Sequence, residues 1–318
     1  MPEMIIKPVI LDVDPGIDDM VALLASFGSP KFDVKAVGAC HGNIPVEMGH
    51  RNLGRILQLI GRNDLVPGLG TARPLLATHS TPIHDIHGED GLGNAASLLP
   101  DEISPAVNAV TLYAKTLIES PEPVTIIALA PLTNIAALLI TYPELKPKIE
   151  RIVLMGGGDG RGNTSSIAEF NVACDPEAAE RVFNDEVPIT MIGFDLTRTV
   201  RFGREWLDEL AAGGRVSQVA SQVAEYYLEI HEARGREGMP VHDAVAAALA
   251  AEPQLGEYVE TAVYVDCGLS AARGATVLTR DGFRVGRAQV LHAVDVDRRA
   301  LAAWVTSSIA RLDGLSSE

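Results

Sequence analysis

The sequence of 318 residues is 47% apolar, so it is long and hydrophobic enough to bury a large core. It carries 26 basic and 42 acidic residues, and the resulting net charge of -16 argues against nucleic-acid binding, because such a surface repels phosphate backbones. The three cysteines lie far apart without a CxxC pair, and no segment resembles a signal peptide or a membrane span, which predicts a cytoplasmic protein with reduced thiols.

Five short β-rich runs alternate with helical patterns, which predicts βαβ units around a mostly parallel sheet. Their nearly continuous apolar character is typical of strands that are covered on both faces. The runs lie at residues 8–14, 33–39, 124–130, 151–157 and 189–195. Ser104-Pro105 and Asp175-Pro176 each place an N-cap residue before a first-turn proline, so both predict helix starts.

The later part of the chain predicts three further features. Residues 206–236 are mostly helical in pattern and are expected to form a small cap outside the sheet, near the active site. Residues 261–267 and 284–297 read as strands, antiparallel at an edge. No internal repeat or linker divides the chain, so we predict an α/β fold with a single Rossmann-like domain over residues 1–318. In such sheets, ligands bind beyond the carboxyl ends of the strands.

Four carboxylates lie close together at the end of the first predicted strand and at the start of the next helix, as Asp12, Asp14, Asp18 and Asp19. They repel each other unless a cation or protons neutralise them. Oxygen ligands without a nearby cysteine or histidine pair favour calcium or magnesium over zinc. Alternatively, acidic residues can simply complement the positive end of a helix, but that explains only one or two of the four. For Asp12 alone, we expect a structural role in holding the loop by hydrogen bonds.

The run LDVDPGIDD resembles the N-terminal signature DxDPGxDD of the inosine–uridine-preferring nucleoside hydrolase family. Other segments resemble the family in the same order along the chain. They are HGN at 41–43, IHGEDGLG at 86–93, PLTNI at 131–135, LMGG at 154–157, GN…AEFN at 162–171 and PVHDA at 240–244. The resemblance implies an enzyme that hydrolyses the N-glycosidic bond of ribonucleosides to ribose and free base, in purine and pyrimidine salvage.

The resemblance also implies a calcium site with water and the ribose 2′- and 3′-hydroxyls as additional ligands. The protein ligands it implies are Asp14, Asp19, Asp243 and the backbone carbonyl of Leu129. Asp14 is further implied to take a proton from the calcium-bound water, whose pKa the metal lowers. Asp18 is implied to hold the 2′-hydroxyl.

Four more residues are implied to bind the ribose. The resemblance gives Asn171 to the ribose hydroxyls, Glu169 and Asn163 to the 5′-hydroxyl, and Asn43 to a place near the ring. From residue types alone, Asn43 could equally be a turn residue after Gly42. On a strand, Glu169 and Asn171 would share a face, and such a pattern is more often a solvated surface than a site.

On the base side, the resemblance implies that His242 protonates the leaving group, which an ordinary histidine pKa near neutrality makes feasible. It also places His87 in a loop near the base. Tyr226, Tyr227 and His231 could line the base pocket from the predicted helical cap, although aromatic residues at helical spacing more often belong to a core. The preference for purine or pyrimidine bases is left open at this point.

Two other functions compete with nucleoside hydrolysis. A haloacid-dehalogenase-like phosphatase also begins with paired aspartates after its first strand, but Pro15 and the Asp18-Asp19 pair do not fit its pattern. A nonenzymatic protein that binds nucleosides or ribose would need no complete ligand set, whereas every implied ligand is present. We therefore expect a small-molecule nucleoside as the partner, with neither nucleic acid nor membrane, and the family implies a homodimer or homotetramer.

Overall fold

The computed structural model of the chain describes residues 6–76, 84–101, 105–279 and 288–315. Twelve strands are formed within these ranges. They are β1 (Lys7–Val13), β2 (Phe32–Ala39), β3 (Gly68–Leu69), β4 (Val107–Asn108), β5 (Val124–Ala128), β6 (Ile149–Met155), β7 (Ile189–Ile192), β8 (Arg201–Phe202), β9 (Met239–Pro240), β10 (Gly256–Val265), β11 (Thr276–Thr279) and β12 (Val290–Val296).

Helices alternate with these strands along most of the chain. The α-helices are α1 (Ile17–Gly28), α2 (Val46–Leu59), α3 (His84–His87), α4 (Ala109–Glu119), α5 (Thr133–Thr141), α6 (Phe170–Cys174), α7 (Pro176–Phe183), α8 (Phe194–Thr197), α9 (Arg204–Ala211), α10 (Arg215–Ala233), α11 (His242–Ala251) and α12 (Arg298–Leu315). Short 3-10 helices lie at Ala96–Leu98, Pro143–Lys148 and Pro253–Leu255.

Ten strands form the central sheet, in the order β11-β10-β12-β7-β6-β5-β1-β2-β3-β4. The eight strands from β12 to β4 are mutually parallel. The five predicted strands correspond to β1, β2, β5, β6 and β7, so the mostly parallel α/β sheet is confirmed. The predicted antiparallel edge is also confirmed, because β10 runs antiparallel to both β11 and β12.

Buried apolar side chains cover both faces of the sheet. One core cluster joins the sheet to α1, α2, α9, α10, α11 and α12, and the other joins it to α4, α5 and α7. In β1, five of the seven residues are buried, which explains its nearly continuous apolar sequence. Each fully buried aliphatic side chain contributes about 1.5–3 kcal/mol relative to an exposed one. The two layers of helices therefore fix the strand ends firmly.

The predicted helical cap at residues 206–236 corresponds to α9 and α10. Helix α10 packs against α1, α3 and α12, so the cap lies over the first helix layer and next to the strand ends. None of the helices in the described part of the chain is long and apolar enough to cross a membrane.

Of the two predicted helix starts, the one at Asp175-Pro176 is confirmed, because the Asp175 side chain accepts the backbone N–H of Ala178 at the start of α7. The prediction at Ser104-Pro105 is wrong. Helix α4 begins later, at Ala109, where the Asn108 side chain caps it. Ser104 itself lies outside the described residues.

The sheet order changes direction at β1, which has β2 on one side and β5 on the other. Connections leave the sheet on opposite faces at such a point, and a crevice opens beyond the carboxyl ends of the strands. Asp14 follows β1, and Leu129 follows β5. The fold therefore brings two of the implied ligands to one crevice from different parts of the chain.

Candidate active site

A cavity of about 900 Å³ opens at this carboxyl edge of the sheet. All eleven predicted site residues either line it or belong to the aspartate turn next to it. Those that line the cavity are Asp18, Asn43, His87, Leu129, Asn163, Glu169, Asn171, His242 and Asp243. Asp14 and Asp19 lie in the turn, where hydrogen bonds join both of them to Asn43.

The carboxylate of Asp19 holds the aspartate turn together. It accepts the backbone N–H of Asp14 at 3.1 Å and that of Gly16 at 3.0 Å, and the side-chain amide of Asn43 at 3.1 Å. A Cβ atom on Gly16 would lie 2.6 Å from Nδ1 of His87, so a side chain at this turn would displace the loop above it. The DPG motif thus lets the chain pass closely beneath His87.

Asp14 is oriented by one oxygen and leaves the other free. Its Oδ2 accepts the backbone N–H of Asn43 at 2.7 Å. Its Oδ1 is buried and has no hydrogen-bond partner among the described residues. A Cβ atom on Gly42 would lie 1.9 Å from Oδ2, so only glycine fits beside this carboxylate. An orphaned buried carboxylate oxygen is a vacancy that a cation or a polar substrate can fill.

Asp18, Asp19 and Asp243 are buried and bring one carboxylate oxygen each within 4.8 Å of the others. Asp243 comes from the start of α11, far along the chain from the other two. Asp18 was predicted as a ribose contact rather than as a ligand, yet it is Asp18 that completes this close group. An acidic group of this kind could hold a metal ion.

Leu129 follows β5 directly and lines the same cavity as Asp18 and Asp243. Asn171 donates its side-chain amide to the carbonyl of Leu129 at 2.7 Å and to the carbonyl of Met155 at 3.0 Å. The amide therefore ties together the ends of β5 and β6. Because the Leu129 oxygen has a second lone pair, the hydrogen bond does not prevent it from binding a cation.

The carboxyl groups of the site share an unusual electrostatic setting. Burial, and then repulsion from Asp19, raises the pKa of Asp18 to about 8 and that of Asp14 well above its ordinary value. Burial also raises the pKa of Asp19 to about 6, and burial with the charge of Asp18 raises that of Asp243. A bound cation would reverse this penalty. The donors are all oxygen atoms, which suits a hard cation such as calcium.

Glu169 and Asn171 lie at the start of a helix, so the alternative of a solvated strand face does not apply to them. Glu169 is the N-cap of α6, and its carboxylate accepts the backbone N–H groups of Gly157, Asn171 and Val172. The segment is helical because this carboxylate satisfies donors at the helix start. Asn163 lies at the exposed rim of the cavity.

The pKa of His242 differs from that of an ordinary histidine. The Nδ1 of His242 lies 2.8 Å from Oγ1 of Thr197, and its ring stacks at 5.5 Å from that of Phe194. Burial, reinforced by the charges of His231 and Arg201, lowers the pKa of His242 to about 3. The expectation of a pKa near neutrality is therefore wrong, since this ring is neutral at physiological pH.

The helical cap contributes two aromatic residues to the cavity. The Tyr227 ring lies 5.9 Å from that of His87 and 4.8 Å from that of His231. Both Tyr227 and His231 line the cavity, whereas Tyr226 packs against the core and does not line it. Tyr227 therefore belongs to the core and also lines the cavity, whereas Tyr226 packs against the core alone.

Three residues of the site that the sequence did not indicate follow β7. Phe194 and Arg201 line the cavity, and Thr197 contacts His242. A usable signal existed, because they follow the carboxyl end of a predicted strand. Acidic and amide side chains at strand ends indicate a polar site, whereas this segment carries an apolar ring, a hydroxyl and a guanidinium.

Asp12 and Asn134 lie behind the site and support it. The Tyr113 hydroxyl and the Asn134 amide each donate to Oδ1 of Asp12 at 2.7 Å. Asn134 also donates to the carbonyl of Ala39 at the end of β2. These bonds connect β1, β2 and α5 beneath the aspartate turn, in agreement with the structural role expected for Asp12.

A family model described as inosine-uridine preferring nucleoside hydrolase matches residues 9–303. The chain is 39% identical over 307 residues to the pyrimidine-specific ribonucleoside hydrolase RihA of Citrobacter koseri, covering 95% of this chain and 98% of that relative. Among solved structures, the purine-preferring ribonucleoside hydrolase from Gardnerella vaginalis has a TM-score of 0.90 at 28% identity. The plant nucleoside hydrolase PpNRh1 has a TM-score of 0.88 at 29% identity. Each structural match covers 96% of this chain and 99% of the other.

The family match extends from β1 into α12 and includes every motif on which the resemblance depends. The residues of those motifs lie around one crevice although they are spread along the sequence. The sequence match, the fold and the position of these motifs around one crevice all point to the same family. The chain therefore belongs to the inosine-uridine preferring nucleoside hydrolase family, and it is a nucleoside hydrolase.

Proposed function

We propose that this enzyme hydrolyses the N-glycosidic bond of ribonucleosides with the help of a calcium ion, releasing ribose and free base. The observation that carries the proposal is the buried group of Asp18, Asp19 and Asp243, near which Asp14 has a buried Oδ1 without a partner among the described residues. Neutral nucleosides also suit a strongly acidic protein, because they bring no phosphate that it would repel.

The residues fit a calcium ion on chemical grounds. The proposed ligands are Asp14, Asp19, Asp243 and the carbonyl of Leu129. When bound, calcium lowers the pKa of a water that it polarises and holds the ribose hydroxyls. Asp18 lies against the same group, and we assign it to the 2′-hydroxyl. Its carboxylate would then accept a hydrogen bond and hold the ribose on that side of the crevice.

Asp14 is the proposed general base. Its Oδ2 is held by the backbone of Asn43, so its Oδ1 can point at a water without losing orientation. Taking a proton from that water lets the oxygen attack C1′ of the ribose while the bond from C1′ to the base breaks. Asn171 and Asn43 are assigned to the ribose hydroxyls, and Glu169 with Asn163 to the 5′-hydroxyl.

At the base end, we assign His242 and His87 to contacts with the leaving group. We assign the Thr197 hydroxyl as the donor to Nδ1 of His242, so the proton of this neutral ring lies on Nε2 and can form a hydrogen bond to the base. His87 accepts the backbone N–H of Ile17 at Nδ1, so its Nε2 carries a proton as well. We also propose that the enzyme acts in purine and pyrimidine salvage in the cytoplasm, which agrees with its three free cysteines.

The test is a direct assay of the purified protein with inosine, uridine, cytidine and adenosine in the presence of calcium. Release of both reducing sugar and free base is the expected result. Failure to release either product from all four nucleosides, together with cleavage of p-nitrophenyl phosphate, would favour a phosphatase. Tight nucleoside binding without turnover would favour a binding protein.

A further inference from the structure

The cavity is lined by charges of both signs. Asp18 and Asp243 are among its lining residues, and so are four arginines, namely Arg198, Arg201, Arg234 and Arg236. The last three lie close enough to His231 for their charges to lower its pKa below the value that burial alone would give, and they define a positive end of the cavity. None of these four forms an ion pair with a carboxylate within the described ranges. Unpaired arginines are unexpected in a chain of net charge -16, where acidic partners are abundant. The positive end is therefore a local feature of the cavity.

Arg201 is the most firmly held of these arginines. Its Nε donates to the carbonyl of Glu237 at 2.7 Å, and its Nη2 donates to the carbonyl of Gly238. Both acceptors are neutral, so they orient the guanidinium without cancelling its charge. Burial and the neighbouring Arg236 lower the pKa of Arg201, which means that its surroundings disfavour further positive charge and favour an anion.

His231 adds a buried donor beside this guanidinium. Arg201 can only donate, so its contact of 3.2 Å with Nδ1 of His231 requires that nitrogen to be unprotonated. The proton of the neutral ring therefore lies on Nε2. His231 is only 4% exposed, and its Nε2 has no hydrogen-bond partner among the residues described. A buried N–H without an acceptor in a cavity wall is expected to bind a ligand.

Tyr227 lies between the carboxylates and the arginines of the cavity. Burial raises the pKa of Tyr227, the charges of Asp18 and Asp243 raise it further, and those of Arg201 and Arg236 lower it. Its ring contacts that of His231, so a base seated next to Tyr227 would meet both the Nε2–H of His231 and the guanidinium. With the ribose over the carboxylates, the base lies at the positive end.

Given the proposed hydrolysis of nucleosides, on which this inference rests, we propose that the base departs as an anion whose charge is stabilised by Arg201 and the Nε2–H of His231. The bond from C1′ to the base nitrogen breaks and leaves its electron pair on the base. The water oxygen bonds to C1′, and its proton passes to Asp14. The released base then takes up a proton from solvent. Water plus nucleoside thus gives ribose plus base, without an acid that carries a full proton to the leaving group.

The role of Arg201 and His231 is tested with substrates whose leaving groups differ in their stability as anions. Uridine and inosine release poor leaving groups, whereas 4-nitrophenyl β-D-ribofuranoside releases 4-nitrophenolate, an anion that is already stable. Arg201→Met should lower kcat/KM for both nucleosides by roughly 10- to 100-fold, the effect of removing one charged hydrogen bond. Cleavage of the nitrophenyl riboside should stay within about twofold, since its ribose site is unchanged.

The matched control is Arg204→Met, because Arg204 is an exposed arginine of the same cap that is paired with Glu225 and Glu232 and does not line the cavity. It should leave all three rates unchanged. His231→Phe keeps the ring packing on Tyr227 but removes the N–H, and it should reproduce the selective loss.

Equal losses for the nitrophenyl riboside and the nucleosides, in Arg201→Met and His231→Phe alike, would mean a merely structural role and overturn the proposal. Unchanged nucleoside rates in both variants would overturn it as well. A wild-type enzyme that cleaves no nucleoside would instead refute the proposed function itself, so the two failures are distinguishable.

Discussion

Asp12 and Asp14 lie two residues apart at the end of β1, and both are buried, yet their surroundings differ. Asp12 accepts two side-chain hydrogen bonds at one oxygen, from Tyr113 and Asn134. Asp14 accepts one backbone bond, and each of the two aspartates has a second buried oxygen without a partner in the described structure. We therefore place Asp12 in the framework, because side-chain donors hold it, and we propose a role in the chemistry for Asp14.

Replacing each with alanine should separate these roles. Asp14→Ala removes the proposed base and a proposed ligand, so kcat for inosine or uridine should fall by at least about a thousandfold. Asp12→Ala leaves Tyr113 and Asn134 without their acceptor, and the free energy of unfolding should fall by about 2–4 kcal/mol. Steady-state kinetics and urea titrations measure the two effects.

Each of the two variants can contradict the role assigned to its residue. If Asp14→Ala kept near-normal turnover, the role assigned to Asp14 would be refuted. If Asp12→Ala were as stable as the parent protein, the bonds that connect β1, β2 and α5 would not be supporting the aspartate turn.

Among the elements, α1 and α12 approach each other closely at Gly28. A Cβ atom there would lie 1.9 Å from the carbonyl oxygen of Ser308 and 3.2 Å from Cγ of Leu312. Gly28→Ala should therefore push α12 away and lower the free energy of unfolding by about 1–3 kcal/mol. Because Gly28 lies at the end of α1 that is remote from the aspartates, KM for nucleosides should not change.

Gly314 in α12 provides the matched control, since a Cβ atom there would meet nothing within 4 Å. Gly314→Ala should be neutral or stabilise the protein by up to ~1 kcal/mol, because alanine loses less backbone entropy in a helix. Thermal and urea unfolding of the two variants give the comparison. Equal stability of Gly28→Ala and Gly314→Ala would contradict the tight packing of α12 on α1.

The strands were predictable because a buried parallel strand requires a nearly continuous apolar run, as in β1 and β5. The aspartate turn was predictable because four carboxylates in a short run require a neutralising partner. Helix α6 was not predictable, because its start depends on the hydrogen bonds that the Glu169 carboxylate accepts from three backbone N–H groups. Nor was the placement of Arg201, which depends on carbonyls more than thirty residues later in the chain.

At the scale of the whole molecule, the sheet collects charges of one sign from distant segments. Asp18 and Asp19 come from the start of α1, and Asp243 from the start of α11. Folding thus concentrates negative charge in a place where water is excluded, and it does so against the direction of Coulomb repulsion. Apolar burial by the two helix layers offsets this repulsion in the folded protein. A bound divalent cation would remove much of it.

This arrangement predicts how stability depends on pH. Asp18 and Asp19 have folded-state pKa values of about 8 and about 6, above the ordinary value of 3.8. For a raised pKa, the stabilising contribution of the protonated form is complete below the unfolded value and is lost as pH rises through the folded value. In the presence of a chelator, the melting temperature should therefore fall steadily between about pH 5 and pH 8.

Calcium should change how the melting temperature depends on pH. The ion binds ionised carboxylates, so protons compete with it at low pH and its stabilising effect grows as pH rises. Melting curves with EGTA and with excess calcium should therefore nearly coincide at pH 5 and separate by several degrees at pH 8. Asp243→Asn removes one buried charge, so it should flatten the chelated curve and reduce the separation. Parallel curves with and without calcium across this range would show that these carboxylates do not hold the ion.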